Sequence, residues 1–330
     1  MFIVENYSSA VLFCIVTMLC WGSWANTQKL ADKNWRFELF YWDYILSMFV
    51  FSLLLAFTMG SNGEEGRAFL SDIEQAETSN LLFAFIGGII FNLANILLVA
   101  ALNLAGMAVA FPIGIGIALI LGVLLNYMLS PVGDFSLLIF GVILVMVAIL
   151  FTAAAYRKSG GSKKGSAKGI MISIISGVLM GVFYPFVAKG ISPDFSFPAT
   201  GMLTPYTAFV FMVFGALISN FLFNTVLMKR PFIGLPLTYK DYFQGSFKSH
   251  FSGILGGIIW GVGTSFNIIA SGKAGFAISY GLGQGATLIA AIWGVFIWKE
   301  FKNAPRITNV LIACMFVFYV VGLLVIILSK

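Results

Sequence analysis

Residues 78–133 contain no charged side chain. A helix needs about 20 predominantly apolar residues to cross a bilayer. The run is too long for one crossing and fits two, joined by a tight turn near Asn103–Gly106. The same pattern returns 169 positions later. Gly87-Gly88-Ile89-Ile90 matches Gly256-Gly257-Ile258-Ile259, Ala105-Gly106 matches Ala274-Gly275, and Ala108 matches Ala277. Gly114 and Gly116 match Gly283 and Gly285 without a gap. The chain is therefore two related halves, each with a helix pair at its centre.

Of the 330 residues 60% are hydrophobic and 10% charged, where a soluble domain carries about 25% charged residues. Gaps between charges place spans at Asn6–Gln28, Leu39–Met59, Leu81–Leu102, Ala105–Met128, Phe135–Tyr156, Gly169–Ala188, Leu203–Leu227, Phe251–Gly272, Ala274–Trp298 and Ile307–Leu328. The first run lacks a basic n-region and a small-residue cleavage site, so it reads as a retained helix. The expected fold is an all-α membrane protein of ten transmembrane helices. With five helices per half the second half must insert upside down, giving two inverted five-helix repeats, a build common among secondary transporters. Residues 1–156 form the first repeat and 169–330 the second. Residues 157–168, rich in Gly, Ser and Lys, read as a flexible cytoplasmic linker.

Fifteen of the nineteen Lys and Arg residues fall in the odd-numbered loops, between spans 1–2, 5–6, 7–8 and 9–10. The positive-inside rule then puts both termini outside, along with the acidic loop of Glu64, Glu65, Asp72, Glu74 and Glu77. The expected location is the cell (inner) membrane, multi-pass. The net charge of +6 belongs to membrane-flanking loops and gives no reason to expect nucleic acid. Cys14, Cys20 and Cys314 all lie in apolar runs, so neither a disulfide framework nor a metal site is indicated. His250 is the single histidine, which excludes a histidine cluster. No nucleophile–base pair and no cofactor motif is present, so an enzyme is not expected.

Polar groups in hydrocarbon are costly and tend to face a partner or a cavity. Asn92 and Asn95 are three apart and share a helix face. Thr264, Ser265 and Asn267 lie at the matching depth of the second half, and Ser279, Tyr280, Gln284 and Thr287 follow in SYGLGQGAT. The paired glycines around Pro112 and Gln284 either let backbones approach or loosen the helix and open backbone groups to a ligand. Trp24 and Trp260 lie deep enough to wall a cavity, whereas Trp42 and Trp298 read as interfacial belt. Asp43, in FYWDYIL, is the acidic residue nearest a span interior. It reads as a proton-coupling carboxylate or as an interfacial partner of Lys29 or Arg36. Glu300 reads as an interfacial partner of Lys299. The candidate solute-binding set is Trp24, Asn92, Asn95, Trp260, Asn267, Tyr280 and Gln284, with Asp43 for proton coupling.

Ten helices in two inverted halves resemble the drug/metabolite transporter superfamily. GMAVAFPIGIGIALILG at Gly106–Gly122 and WKEFKNAPR at Trp298–Arg306 are similar to bacterial L-rhamnose–proton symporters, though Pro112 departs from their continuous run. FIVENY at Phe2–Tyr7, FYWDY at Phe40–Tyr44 and GGIIFNLAN at Gly87–Asn95 resemble plant ureide permeases. CWGSW at Cys20–Trp24 is similar to the start of bacterial glucose-uptake proteins. The resemblance implies uptake of a small polar metabolite with protons or another cation, and it places Asp43 on the aspartate of the ureide-permease motif.

The expected function is thus proton-coupled import of a small neutral polar solute, a monosaccharide in the first place, by alternating access. The alternatives are a ureide or nucleobase permease of the same build and an exporter of metabolites or drugs. Amides without a central acid favour neutral solutes over the greasy cations of an exporter. A receptor or structural subunit would have no need of inverted repeats. A monomer is compatible with the pattern.

Overall fold

The computed structural model describes residues 1–159 and 166–330. Residues 160–165, half of the expected linker, lie outside the described part. Among the described residues, ten helices are long and apolar enough to cross a membrane: α1 (Tyr7–Leu30), α2 (Phe37–Phe57), α3 (Thr78–Ala105), α4 (Met107–Leu129), α5 (Phe135–Lys158), α6 (Ala167–Lys189), α7 (Pro205–Lys229), α8 (Phe247–Ala274), α9 (Phe276–Ile297) and α10 (Arg306–Leu328). Two short helices, Phe69–Gln75 and Tyr239–Phe243, lie in the α2–α3 and α7–α8 loops, both of which read as plain loop in the sequence. Both chain ends sit on one side, here the terminal face. The α1–α2, α3–α4, α7–α8 and α9–α10 loops sit on the other, the basic face.

Local sequence sets the helix ends. Side chains of Asn6, Asp134, Ser166, Thr204 and Ser246 accept from backbone N–H groups three residues on, satisfying donors the first turn leaves unpaired. The α3–α4 and α8–α9 turns are made by Gly106 (φ 77°, ψ 164°) and Gly275 (φ 82°, ψ 153°), a backbone region essentially closed to other residues. The matched Ala-Gly pairs of the sequence are therefore the same turn used twice.

Helix packing repeats as well. α3 packs on α6 and α7, and α8 packs on α1 and α2; α4 packs on α6, and α9 packs on α1. Moving every helix five places along the chain exchanges one set of neighbours for the other, an exchange consistent with an inverted pair of five-helix repeats. The matched glycines make these contacts close. A Cβ on Gly88 would lie 1.7 Å from the Met212 carbonyl oxygen of α7, and one on Gly257 would lie 2.1 Å from the Tyr44 carbonyl oxygen of α2. Pro112 does not break α4. A Cβ on Gly177 of α6 would lie 2.6 Å from the Gly114 carbonyl oxygen, so the first glycine pair serves close packing. α9 behaves differently: its α-helix stops at Gly283 and resumes at Ala286, and it ends in a wide π turn over Trp293–Ile297.

On the terminal face the α6–α7 loop is clamped onto the short helix Phe69–Gln75. The buried Asp72 carboxylate accepts from Arg67 Nη1 (2.8 Å) and the Thr204 N–H (2.8 Å), while Arg67 Nη2 donates to the Pro198 carbonyl (2.7 Å). Removing one partner of a buried ion pair costs about 3–5 kcal/mol. Arg67→Ala is expected to lower the thermal midpoint of the detergent-solubilised protein by several degrees, and Arg67→Lys by less. An unchanged midpoint for Arg67→Ala would show that the clamp contributes nothing.

Candidate functional site

A cavity of about 430 Å³ runs between α1, α3, α4, α6, α8 and α9. Its walls are mainly aromatic: Trp21 and Trp24 from α1, Phe91 from α3, Phe111 from α4, Phe183 from α6 and Trp260 from α8. Phe91 and Trp260 occupy equivalent positions in the two halves, 169 apart, and their rings meet at 4.4 Å. Trp260 also stacks on Trp21 at 6.1 Å, and Trp24 tilts over Tyr44 at 4.6 Å. Such faces attract flat or C–H-rich solutes. The Trp21 indole N–H is spent on Thr264 Oγ1 at 2.9 Å, which holds that ring in place.

Asn26, Gln28 and Asn103 line the space near its mouth, and deeper in it the polar lining residues are Asn95, Gln284 and Thr287. Asn95 is 4% exposed; its amide nitrogen donates to the Tyr41 hydroxyl at 3.2 Å, which leaves its carbonyl oxygen for a ligand. Gln284 is 8% exposed and lines the cavity at the break in α9. Its side-chain amide has no hydrogen-bond partner among the described residues. Its backbone carbonyl accepts from Thr287 Oγ1 at 2.9 Å, so the interrupted turn is satisfied locally. The second glycine pair, Gly283 and Gly285, thus does what Gly114 and Gly116 do not: it opens the helix and points an amide inward.

Trp24, Asn95, Trp260 and Gln284 of the expected set line the cavity. Asn92, Asn267 and Tyr280 lie behind its wall. Asn92 Nδ2 donates to Ser219 Oγ (2.9 Å) and Asn267 Nδ2 to the Ser279 carbonyl (2.7 Å). The Tyr280 hydroxyl donates to the carbonyls of Ala118 (3.2 Å) and Met180 (3.1 Å), tying α9 to α4 and α6 between the cavity and the terminal face.

Asp43 stands outside the cavity, between α2, α8 and the short helix Tyr239–Phe243. Its carboxylate accepts from the Tyr242 hydroxyl at 2.7 Å and meets His250 Nδ1 at 2.9 Å. Lys29 and Arg36, the partners expected from sequence, are engaged elsewhere: Arg36 pairs with Glu38 and donates to the Ile233 carbonyl at 3.0 Å. Trp35 edges onto His250 at 5.0 Å and covers the site. Burial and then the Asp43 carboxylate push the Tyr242 phenol above its ordinary range. Asp32, on the same face, accepts from Ser246 and Ser249 hydroxyls, which hold its carboxyl below the ordinary range.

The cavity opens toward the basic face. Lys29 and Glu300 are the two charged side chains among its described lining residues, and both stand at the mouth. Glu300 does not pair with Lys299. Its carboxylate accepts from the Tyr156 hydroxyl at 2.6 Å and lies 4.0 Å from Lys29 Nζ. Trp298, expected in the interfacial belt, instead lines the mouth, with Lys29 over its ring at 3.8 Å and its N–H donated to Asn26 Oδ1 at 2.7 Å. The π turn makes this arrangement by folding the chain back, so that the Glu300 N–H reaches the Gly294 carbonyl at 3.0 Å. Sequence reasoning missed Phe91 and Phe183 because a lone aromatic in a span looks like lipid-facing filler. The 169-residue match of Phe91 to Trp260 was the signal that could have found one of them.

Known proteins resemble the chain over its whole length. Ureide permease 1 of Arabidopsis thaliana is 22% identical over 387 aligned residues, covering 100% of this chain and 99% of that one. A protein of Enterococcus faecalis named for sugar uptake is 24% identical, covering 73% of this chain and 77% of that one. A protein crystal structure superposes with a TM-score of 0.65 at 15% identity, covering 97% of this chain and 96% of the other, a likeness of fold. Ten crossing helices around one aromatic cavity, with family-model matches over residues 40–168 and 162–329, lead to one assignment: the chain is a permease of the ureide permease family.

Proposed function

We propose that this permease carries a small, flat, neutral solute with an amide or urea edge, of ureide or nucleobase type, by alternating access. The observation that carries this reading is the cavity wall itself: indole and phenyl faces, with the carbonyl oxygen of Asn95 and the amide of Gln284 as interior polar handles. A planar solute stacks on such faces and satisfies two amides at its edge. A solute with hydroxyls on every side would leave most of them unpaired against apolar wall, at about 1–3 kcal/mol each. The cavity opens on the basic face, which the charge rule makes cytoplasmic, so this conformation is the one that releases an imported solute.

Uptake into proteoliposomes, compared across allantoin, uracil, ribose and rhamnose, tests the reading. Saturable uptake of a ureide or nucleobase is expected. Uptake of the sugars alone would replace it with the monosaccharide reading, which the sugar-uptake relative supports.

Proton coupling is proposed to run through Asp43. Its carboxylate, held by His250 and Tyr242 between the two halves, can change α2–α8 packing as it gains or loses a proton. Asp43→Asn is expected to abolish accumulation driven by a pH gradient while sparing solute exchange. Undiminished accumulation would remove Asp43 from that role.

A further inference from the structure

The open mouth on the basic face has a counterpart that neither the family nor its relatives' names identify. A shift of 169 residues, which matches the α3–α4 turn to the α8–α9 turn, carries Asn103 onto Gly272 and Met107 onto Phe276. Asn103 and Met107 line the mouth of the main cavity. Gly272 and the neighbouring Lys273 line a separate cleft of about 340 Å³ on the terminal face, together with the Asp194–Ser196 stretch of the α6–α7 loop. The same shift carries Phe111, which lines the main cavity, onto Tyr280, which is buried beneath the cleft with its hydroxyl bonded to α4 and α6. The repeat thus places one open mouth and one closed one at equivalent positions.

We propose that the terminal-face cleft is the second solute mouth, the landing site for the same neutral amide- or urea-bearing solute. This rests on the alternating-access reading above. Asp194, whose Oδ1 accepts from the Ser196 (2.9 Å) and Phe197 (3.1 Å) N–H groups, brings its second carboxylate oxygen and Lys273 a donor to the cleft wall, complementary to a solute edge that carries both N–H and C=O. Two aromatic layers close it below. Phe195 lies flat on the α8–α9 turn, where a Cβ on Gly272 would meet its ring at 2.5 Å. Tyr280 packs on Tyr184 at 5.3 Å, and Tyr184 meets Ser279 at 3.5 Å. Opening this mouth requires Phe195 to leave the turn and the Tyr280 hydroxyl to release the Ala118 and Met180 carbonyls. The α6–α7 loop is held beside the cleft by Ser196, whose carbonyl accepts from the Gly66 N–H (3.2 Å) and whose hydroxyl donates to Glu65 (2.9 Å), so opening also parts these two bonds.

Two cysteine variants test this in vesicles whose sidedness is fixed by protease protection of a terminal tag. In Ser196→Cys, a membrane-impermeant methanethiosulfonate added at the terminal face is expected to cut uptake at least tenfold, with excess solute slowing the modification. The same reagent on the wild type controls for Cys20 and Cys314. The second variant needs no transport. Ser279→Cys is expected to react from the terminal face, and adding Tyr280→Phe should speed that reaction about fivefold, since the one hydroxyl proton that the two carbonyls share is worth about 1 kcal/mol. Full modification of Ser196→Cys with undiminished uptake would overturn the proposal, as would Ser279→Cys reacting from the basic face alone or at a rate indifferent to Tyr280→Phe. If no solute is taken up at all, the carrier reading fails, while the Ser279→Cys rates still decide whether the cleft opens.

Discussion

Gly88→Ala is expected to abolish recovery of folded protein. The new methyl group would sit 1.7 Å from the Met212 carbonyl oxygen and 3.0 Å from the Ala216 nitrogen, both backbone atoms that no rotamer change can move. Relief requires α3 and α7 to part along their length. Overpacking a core costs about 1–3 kcal/mol and occasionally more, and here the clash is with main chain on a helix that also packs on α6. Gly257→Ala, at 2.1 Å from the Tyr44 carbonyl oxygen, should behave alike. Gly281→Ala, whose closest neighbour is a Val123 methyl at 3.3 Å, should fold nearly as well as wild type. Size-exclusion profiles of detergent extracts separate these cases. A monodisperse Gly88→Ala protein at wild-type yield would mean that α3 and α7 are not fixed at this distance.

Trp260→Ala is expected to weaken solute binding about thirtyfold, with the protein still folded. The indole closes one side of the cavity and touches the rings of Phe91, Trp21 and Tyr44. Stacking of a flat ring on an aromatic side chain is worth about 1–3 kcal/mol, and each 1.4 kcal/mol is tenfold in affinity. Gln284→Ala should cost about five- to tenfold, the worth of one hydrogen bond of roughly 1 kcal/mol. Trp42→Ala makes the control, since Trp42 packs away from the cavity on Phe221 and Tyr239. Isothermal titration with the transported solute reads all three. Equal affinities for wild type and Trp260→Ala would place the solute elsewhere.

The ten spans were legible because the bilayer enforces one rule at each position: about 20 apolar residues between charges. Span ends shifted by only a few residues, and the largest differences have physical causes. α1 runs on to Leu30 because its last turns tighten into a 3₁₀ helix over Trp24–Leu30, a geometry no periodicity announces. Half of the candidate site was legible too. Asn95 and Gln284 reach the cavity, whereas Asn92 and Asn267, equally polar and equally deep, are spent on Ser219 and the Ser279 carbonyl. A sequence shows that a buried amide needs a partner; it does not show whether that partner is protein or solute. Glu300 was misplaced for a related reason. Its carboxylate reaches Tyr156 through a π turn and through Lys299 at φ 51°, and both are departures from the helical path that charge spacing assumes.

The meeting of Phe91 and Trp260 bears on how cargo travels. Had both positions kept one residue type, the two halves would offer a bound molecule identical grips, and it could ride in either of two opposed poses. Substitution has removed that degeneracy. A six-membered ring faces a larger indole across the axis, and Ile115 faces the amide of its own counterpart, Gln284. On the reading proposed above, the hydrogen-bonding edge of the passenger would lie between Asn95 of the earlier half and Gln284 of the later one, in one pose from admission to release. Two halves that share their turns and their close helix contacts thus present unlike faces to the cavity.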